Sequence, residues 1–258
     1  RLGDAPPGPS DGELDNSLAN RIRWMLTHTM GADGEFERRR RELALLGGSD
    51  DPAGLDDDEV RRLVTDDDVC ASFVDSVADG GFMRELLELS QLALLREGTL
   101  FVHGGVQHQG EEASVCIVGL VPGRPERVEG MQEWINELNS WYREQLADWM
   151  ANPHWEEAET TAESTCRGGH ALMDYVVAGP NPSVVLGRHI DSKGMPDVPD
   201  EKLIALMSAH RVHRIVIGHT PHGVSPTVIK PADGVGGSLE IIMCDTSYSD
   251  IKMPDNRG

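Results

Sequence analysis

Thr99-Leu100-Phe101-Val102-His103-Gly104-Gly105-Val106 is the stretch on which the fold turns. A short apolar run stops at a histidine and two glycines. A buried strand ends this way when its last side chain faces a ligand and the backbone must then turn tightly. The pattern returns in Arg214-Ile215-Val216-Ile217-Gly218-His219-Thr220-Pro221-His222-Gly223. There a β-branched run ends in a histidine after glycine, and Pro221 prevents the strand from continuing. Two histidines at strand ends point to a metal centre at the carboxyl edge of a sheet, where open α/β sheets place their ligands. The expected class is α/β.

Composition narrows the function. A chain of 258 residues can bury a substantial core. Its formal net charge of -21 argues against nucleic acid as a partner, because nothing offsets phosphate repulsion. An anionic membrane surface is disfavoured on the same ground. A phosphorylated substrate is repelled at long range too, so any phosphate site needs local cations or metal ions. Cys70, Cys116, Cys166 and Cys244 are widely spaced and form no CxxC pair, which speaks against structural zinc and for reduced thiols. The longest apolar run, Val115 to Val121, is too short to span a bilayer.

Outward from the two histidine motifs, the pattern predicts helices over Leu14–Met30, Glu35–Leu46, Phe82–Leu95, Glu133–Met150, Ala171–Val177 and Asp200–Ala209. Gly98 reads as the cap ending the Phe82–Leu95 helix. Strands are expected at Thr99–His103, Ala113–Val121, Ser183–Leu186, Ile215–Ile217 and Ser238–Cys244. Residues 1–13 read as disordered, and Thr160–Arg167 as loop. Arg38-Arg39-Arg40-Arg41 reads as a solvated helix face rather than a nucleic-acid patch, and the aspartate-rich 47–69 stretch, around a short Glu59–Val64 segment, as a solvated acidic linker or insertion. Trp134, Trp141 and Trp149 form a stripe better suited to packing than to a cofactor.

Four segments, taken in order, resemble the calcineurin-like metallophosphoesterases of the phosphoprotein-phosphatase type. Phe101-Val102-His103-Gly104-Gly105 looks like the family's histidine-glycine-glycine motif. Gly187-Arg188 looks like its phosphate-binding arginine segment. Val216-Ile217-Gly218-His219-Thr220-Pro221 looks like its late glycine-histidine motif, and Cys244-Asp245-Thr246-Ser247 like its closing turn. Thr220-Pro221 and the helical Trp134–Trp149 segment favour the bacterial-like branch that includes the Shewanella-like protein phosphatases.

The resemblance implies that residues 70–254 are the C-terminal part of a calcineurin-like β-sandwich flanked by helices. Residues 1–69 would be a poorly ordered or insertion-like acidic and helical segment. It further implies that His103 and His219 ligate one of two divalent metals (manganese, iron or zinc), and that Arg188 holds the phosphate with its planar fork. Metal-activated water would then hydrolyse a phosphomonoester, on a phosphoprotein or a small molecule. Asp245 would order the turn beneath the site, and His222 would support the site or line its rim. His108, His170, His189 and His213 read as solvent or packing histidines.

The family's early motifs GDxHG, GDxxDRG and GNHE do not occur in these 258 residues. The expectation is therefore a C-terminal portion that cannot by itself assemble a working dinuclear centre. Two other functions compete: hydrolysis of dinucleoside polyphosphates, and a catalytically dead protein that binds a partner through its acidic face and Trp-rich helix. The expected compartment is the cytoplasm, or a plastid if a transit segment lies upstream.

Overall fold

The computed structural model describes residues 15–48, 54, 56–107, 116–153, 167–176, 183–191, 193–231 and 239–246. The chain divides into two units, Arg1–Leu87 and Glu88–Gly258. The expectations for residues 1–14, His108, 113–115, 160–166, Val177, Ser238 and Ser247 lie outside the described residues.

The first unit holds α1 (Leu18–His28), α2 (Glu35–Leu46), α3 (Asp57–Leu63), α4 (Asp66–Val77) and most of α5 (Phe82–Leu89). The two aspartate runs are helix starts, not linker. Asp56 accepts the Glu59 amide while Glu59 reaches back to the Asp56 amide, and Thr65 and Asp68 repeat the exchange one helix later. Each reciprocal pair satisfies two amides that would otherwise lack partners. The remaining acids sit where the helix dipole favours negative charge. Ala19, Leu26, Phe36, Ala44, Val60, Val64, Val69 and Cys70 form the core.

The arginine run departs from a solvated face at one position. Arg40 is 2% exposed, and its guanidinium donates to the Val64 carbonyl at 2.5 Å, to Glu37 at 2.8 Å and to Asp66. Arg23 lies 3.9 Å from the Phe36 ring centre and bonds the same two carboxylates at 3.0 Å. Two arginines thus share two acids over one aromatic face, and periodicity alone cannot reveal that pairing.

The second unit is built on a five-stranded sheet whose spatial order is β1 (Ala93–Arg96), β2 (Thr99–Val102), β5 (Arg214–Ile217), β7 (Glu240–Met243), β6 (Thr227–Ile229). The three central strands run parallel, and β1 and β6 are antiparallel edges. Side chains alternate across the sheet. Leu100, Val102, Ile215, Ile217, Ile241 and Met243 are buried on one face. Leu94, Phe101, Val216, Ile242 and Val228 form one register row on the other.

The predicted Phe82–Leu95 helix stops at Leu89, and its last residues become β1. The cause is the turn that follows. Glu97 (φ 49°) and Gly98 (φ 72°) are both left-handed, and Arg96 pairs with Thr99 across them. That is a two-residue hairpin of the kind whose twist matches the strands, so Gly98 turns a hairpin rather than capping a helix.

A second sheet of two short parallel strands, β3 (Val106–Gln107) and β4 (Cys116–Ile117), follows the first histidine motif. Of the described part of the expected Ala113–Val121 strand, residues 116–121, only the β4 residues form strand. Ser183–Leu186 makes a turn instead of the expected strand. The helices are α6 (Met131–Ala151), α7 (His170–Val176) and α8 (Glu201–Ala209), the last capped by Asp200 onto the Leu203 amide. Trp134 and Trp141 of α6 are buried, the former donating its indole N–H to the Leu120 carbonyl at 2.8 Å. Asn139 of α6 lies along β1: its amide oxygen accepts from Leu92 and Ala93, and its nitrogen donates to the Ala93 carbonyl. Among the described residues no helix is long and apolar enough to cross a membrane.

Candidate metal centre

His103 is the first residue beyond β2, and His219 is the second beyond β5. These strands are parallel neighbours in the register Phe101–Val216, so their carboxyl ends lie side by side. The Gly218 amide donates to the His103 carbonyl at 2.8 Å and extends the ladder by one step. The two imidazoles come together there, with ring centres 5.3 Å apart and planes inclined by 55°. Two imidazoles sharing one cation at about 2.1 Å put their centres about 5 Å apart. The observed spacing therefore fits a shared ligand.

His219 has a backbone that a histidine rarely adopts. Its φ is +60°, and the Thr220 amide donates to the Gly218 carbonyl at 2.7 Å across it. That makes a three-residue γ-turn with positive φ at its centre, the strained member of its class. Such a conformation persists only where the surroundings enforce it.

Arg188 reaches this edge because three glycines let two turns touch backbone to backbone. The Gly105 amide donates to the Gly187 carbonyl at 2.6 Å, and the Gly104 amide donates to the Val184 carbonyl. A Cβ on Gly104 would lie 2.7 Å from the Gly187 nitrogen, and one on Gly187 would lie 2.5 Å from the Gly105 oxygen. What the glycines supply is closeness, since none of the three has a left-handed φ. The exposed Arg188 is thereby brought within electrostatic reach of His219.

Burial holds the His219 imidazole below its ordinary pKa, and the charges of Arg188 and His103 add to the effect while Asp245 opposes it. A neutral ring keeps a lone pair free for a cation. Asp245 acts on the turn through its main chain, where its carbonyl accepts the His222 amide at 3.2 Å.

The remaining histidines separate clearly. His222 is 8% exposed, with Nδ1 2.9 Å from the Thr227 hydroxyl and Nε2 buried without a partner among the described residues. The Thr220 hydroxyl is buried and unpartnered in the same way. His189 is 4% exposed and lies behind Gly105, accepting the Val106 amide through Nε2 at 3.3 Å; burial lowers its pKa to about 4. It is a neutral structural ring, and its position directly after Arg188 is what ties the arginine turn to β3.

Among the described residues no group of three or more histidine, cysteine, aspartate or glutamate side chains could enclose a metal ion. Among the described residues His103 and His219 therefore stand as a pair of candidate nitrogen donors, with no third such side chain grouped with them. Comparison with protein-family models, with curated proteins and with solved structures finds no match for this chain.

Proposed function

We propose that this chain carries the late half of a calcineurin-like metallophosphoesterase site. His103 and His219 hold one divalent cation, and Arg188 grips the phosphoryl oxygens of a phosphoprotein or small phosphomonoester. The observation that supports this most is the 5.3 Å approach of two imidazoles at the ends of adjacent parallel strands. His103 is exposed and His219 half-buried, so neither ring is packed away in the core. A bound manganese, iron or zinc ion would polarise the phosphoryl group and acidify a water. The chain's own residues bind and orient: Arg188 can form two parallel hydrogen bonds to one phosphate, and its fixed positive charge complements oxygens that gain charge in the transition state.

The test is calorimetric titration of the purified chain with manganese, followed by orthovanadate. The expected result is one weak manganese site, lost in His103→Ala and in His219→Ala. Vanadate binding should fall in Arg188→Ala. Hydrolysis of p-nitrophenyl phosphate is expected to be absent from these residues alone. Manganese binding untouched by either histidine substitution would overturn the reading, and two-metal binding with turnover would overturn the half-site. A chain that binds neither manganese nor vanadate would overturn the reading as well.

A further inference from the structure

We infer that His222 is the positioning residue that holds His219 in its left-handed turn, an inference that rests on the reading of His219 as a metal ligand. A positive-φ histidine must be over-determined by its neighbours, and the route of the chain shows which neighbour does it. Upstream, the Gly218 amide is fixed to the His103 carbonyl, and the Cys244 amide to the Ile217 carbonyl at 2.8 Å. Downstream, Thr220 is buried with its hydroxyl unpartnered among the described residues, Pro221 is exposed, and the chain dips inward again at His222 before the exposed residues Val224, Ser225 and Pro226.

At that dip both parts of His222 are tied. Its amide donates to the Asp245 carbonyl beyond β7, and its ring bonds Thr227, the first residue of β6. Thr227 pairs with Met243 of β7. His222 therefore fastens the turn to two strands at once. Among the described residues between Gly218 and Thr227, it makes the hydrogen bonds that join the downstream side of the turn to the sheet.

The chemistry of the ring shows which nitrogen matters. Nδ1 has the Thr227 hydroxyl, in either tautomer, while Nε2 is buried with no partner among the described residues. A bare buried nitrogen is a cost to the fold, so the imidazole is kept for what Nδ1 does. Asparagine places an amide near the Nδ1 position and drops the bare nitrogen. Leucine keeps the bulk and drops both.

Two readouts test this on the full chain. The first is manganese affinity. His222→Leu and Thr227→Val should each weaken it about 10- to 100-fold, as loss of a residue supporting a ligand does, while His222→Asn should stay within about 3-fold of the parent. The second needs no metal. With His219 left-handed, His219→Gly should have a higher denaturation midpoint than His219→Ala, and this gap should close in the His222→Leu or Thr227→Val background. A parent chain that binds no manganese but shows the gap closing would refute the metal reading and support the positioning. A gap and an affinity both unchanged in Thr227→Val and His222→Leu would overturn the positioning. If His222→Leu does not fold, the Thr227→Val and His222→Asn pair decides.

Discussion

The contact between the two glycine turns gives a graded test of how the site is assembled. An alanine at 187 would put its methyl 2.5 Å from the Gly105 oxygen and 2.8 Å from the Gly105 nitrogen. At 104 the nearest atoms are the Gly187 nitrogen and oxygen, both at 2.7 Å. Each obstacle is main chain and cannot swing aside. At 105 the nearest atom is a His189 ring carbon at 3.0 Å, and the nearest main-chain atom is the Arg188 nitrogen at 3.1 Å. A few tenths of an ångström of movement absorbs that.

Over-packing of the first kind costs about 1–3 kcal/mol. The forced separation also stretches the Gly105–Gly187 hydrogen bond, worth about 1 kcal/mol more. Gly187→Ala and Gly104→Ala should therefore lose about 2–4 kcal/mol, and Gly105→Ala about 1 kcal/mol or less. In a unit of this size that corresponds to a fall in melting temperature of roughly 5–15 °C for the severe pair. Circular dichroism melts and urea midpoints of the three variants measure it. Vanadate binding should fall with the severe pair as Arg188 is pushed from His219. If Gly187→Ala and Gly104→Ala melt like the parent while Gly105→Ala is the worst of the three, the two turns do not meet as described.

His189 is held neutral by burial, with its pKa near about 4 against an ordinary 6.5. Its contribution is complete above pH 6.5 and is lost as pH falls from there through about 4, because the unfolded ring takes a proton that the folded ring resists. Urea midpoints across that window should fall for the parent and flatten in His189→Phe, which should also be less stable at pH 7 by about 1–3 kcal/mol for the abandoned Val106 amide. In the first unit, hydrogen bonds from Arg23 and Arg40 hold the Asp66 carboxyl below its ordinary range; in Glu37 burial pushes upward, but bonds from Arg40 and Arg23 outweigh it. Stability from these acids is present above the ordinary carboxylate range and disappears as pH falls through the depressed values, so Asp66→Asn should blunt acid unfolding of these helices. Arg40→Met leaves the Val64 carbonyl bare and should cost about 2–3 kcal/mol by denaturant titration.

The sheet and the site were legible in different ways. The strands β2, β5 and β7 announce themselves as apolar runs cut by glycine, histidine or aspartate, and the convergence of His103 with His219 follows once those strands are neighbours. Leu94 misled, because a leucine at helical spacing is also a leucine at strand spacing; only the left-handed pair Glu97-Gly98 separates the two. The aspartate triplets misled through composition, since three acids in a row look solvated until the caps, Asp56 itself in one run and Thr65 before the other, give them helix ends to serve. Arg40 was hidden because burying a guanidinium needs partners 24 and 26 residues away in Val64 and Asp66. The role of Gly187 was beyond sequence too, as close backbone approach leaves no local mark.

Asn139 has a consequence for how the molecule behaves in a crowd. By offering its amide to Leu92 and Ala93 it occupies, at the start of β1, hydrogen-bonding groups that another chain would otherwise recruit for strand addition. At the opposite border, β6 is three residues long, with Pro226 before it and Pro231 close behind. Imino residues there cannot donate to an incoming strand. With the start of one border occupied by a carboxamide and the other bracketed by prolines, the length of edge open to an incoming strand is shortened at both sides of the sheet.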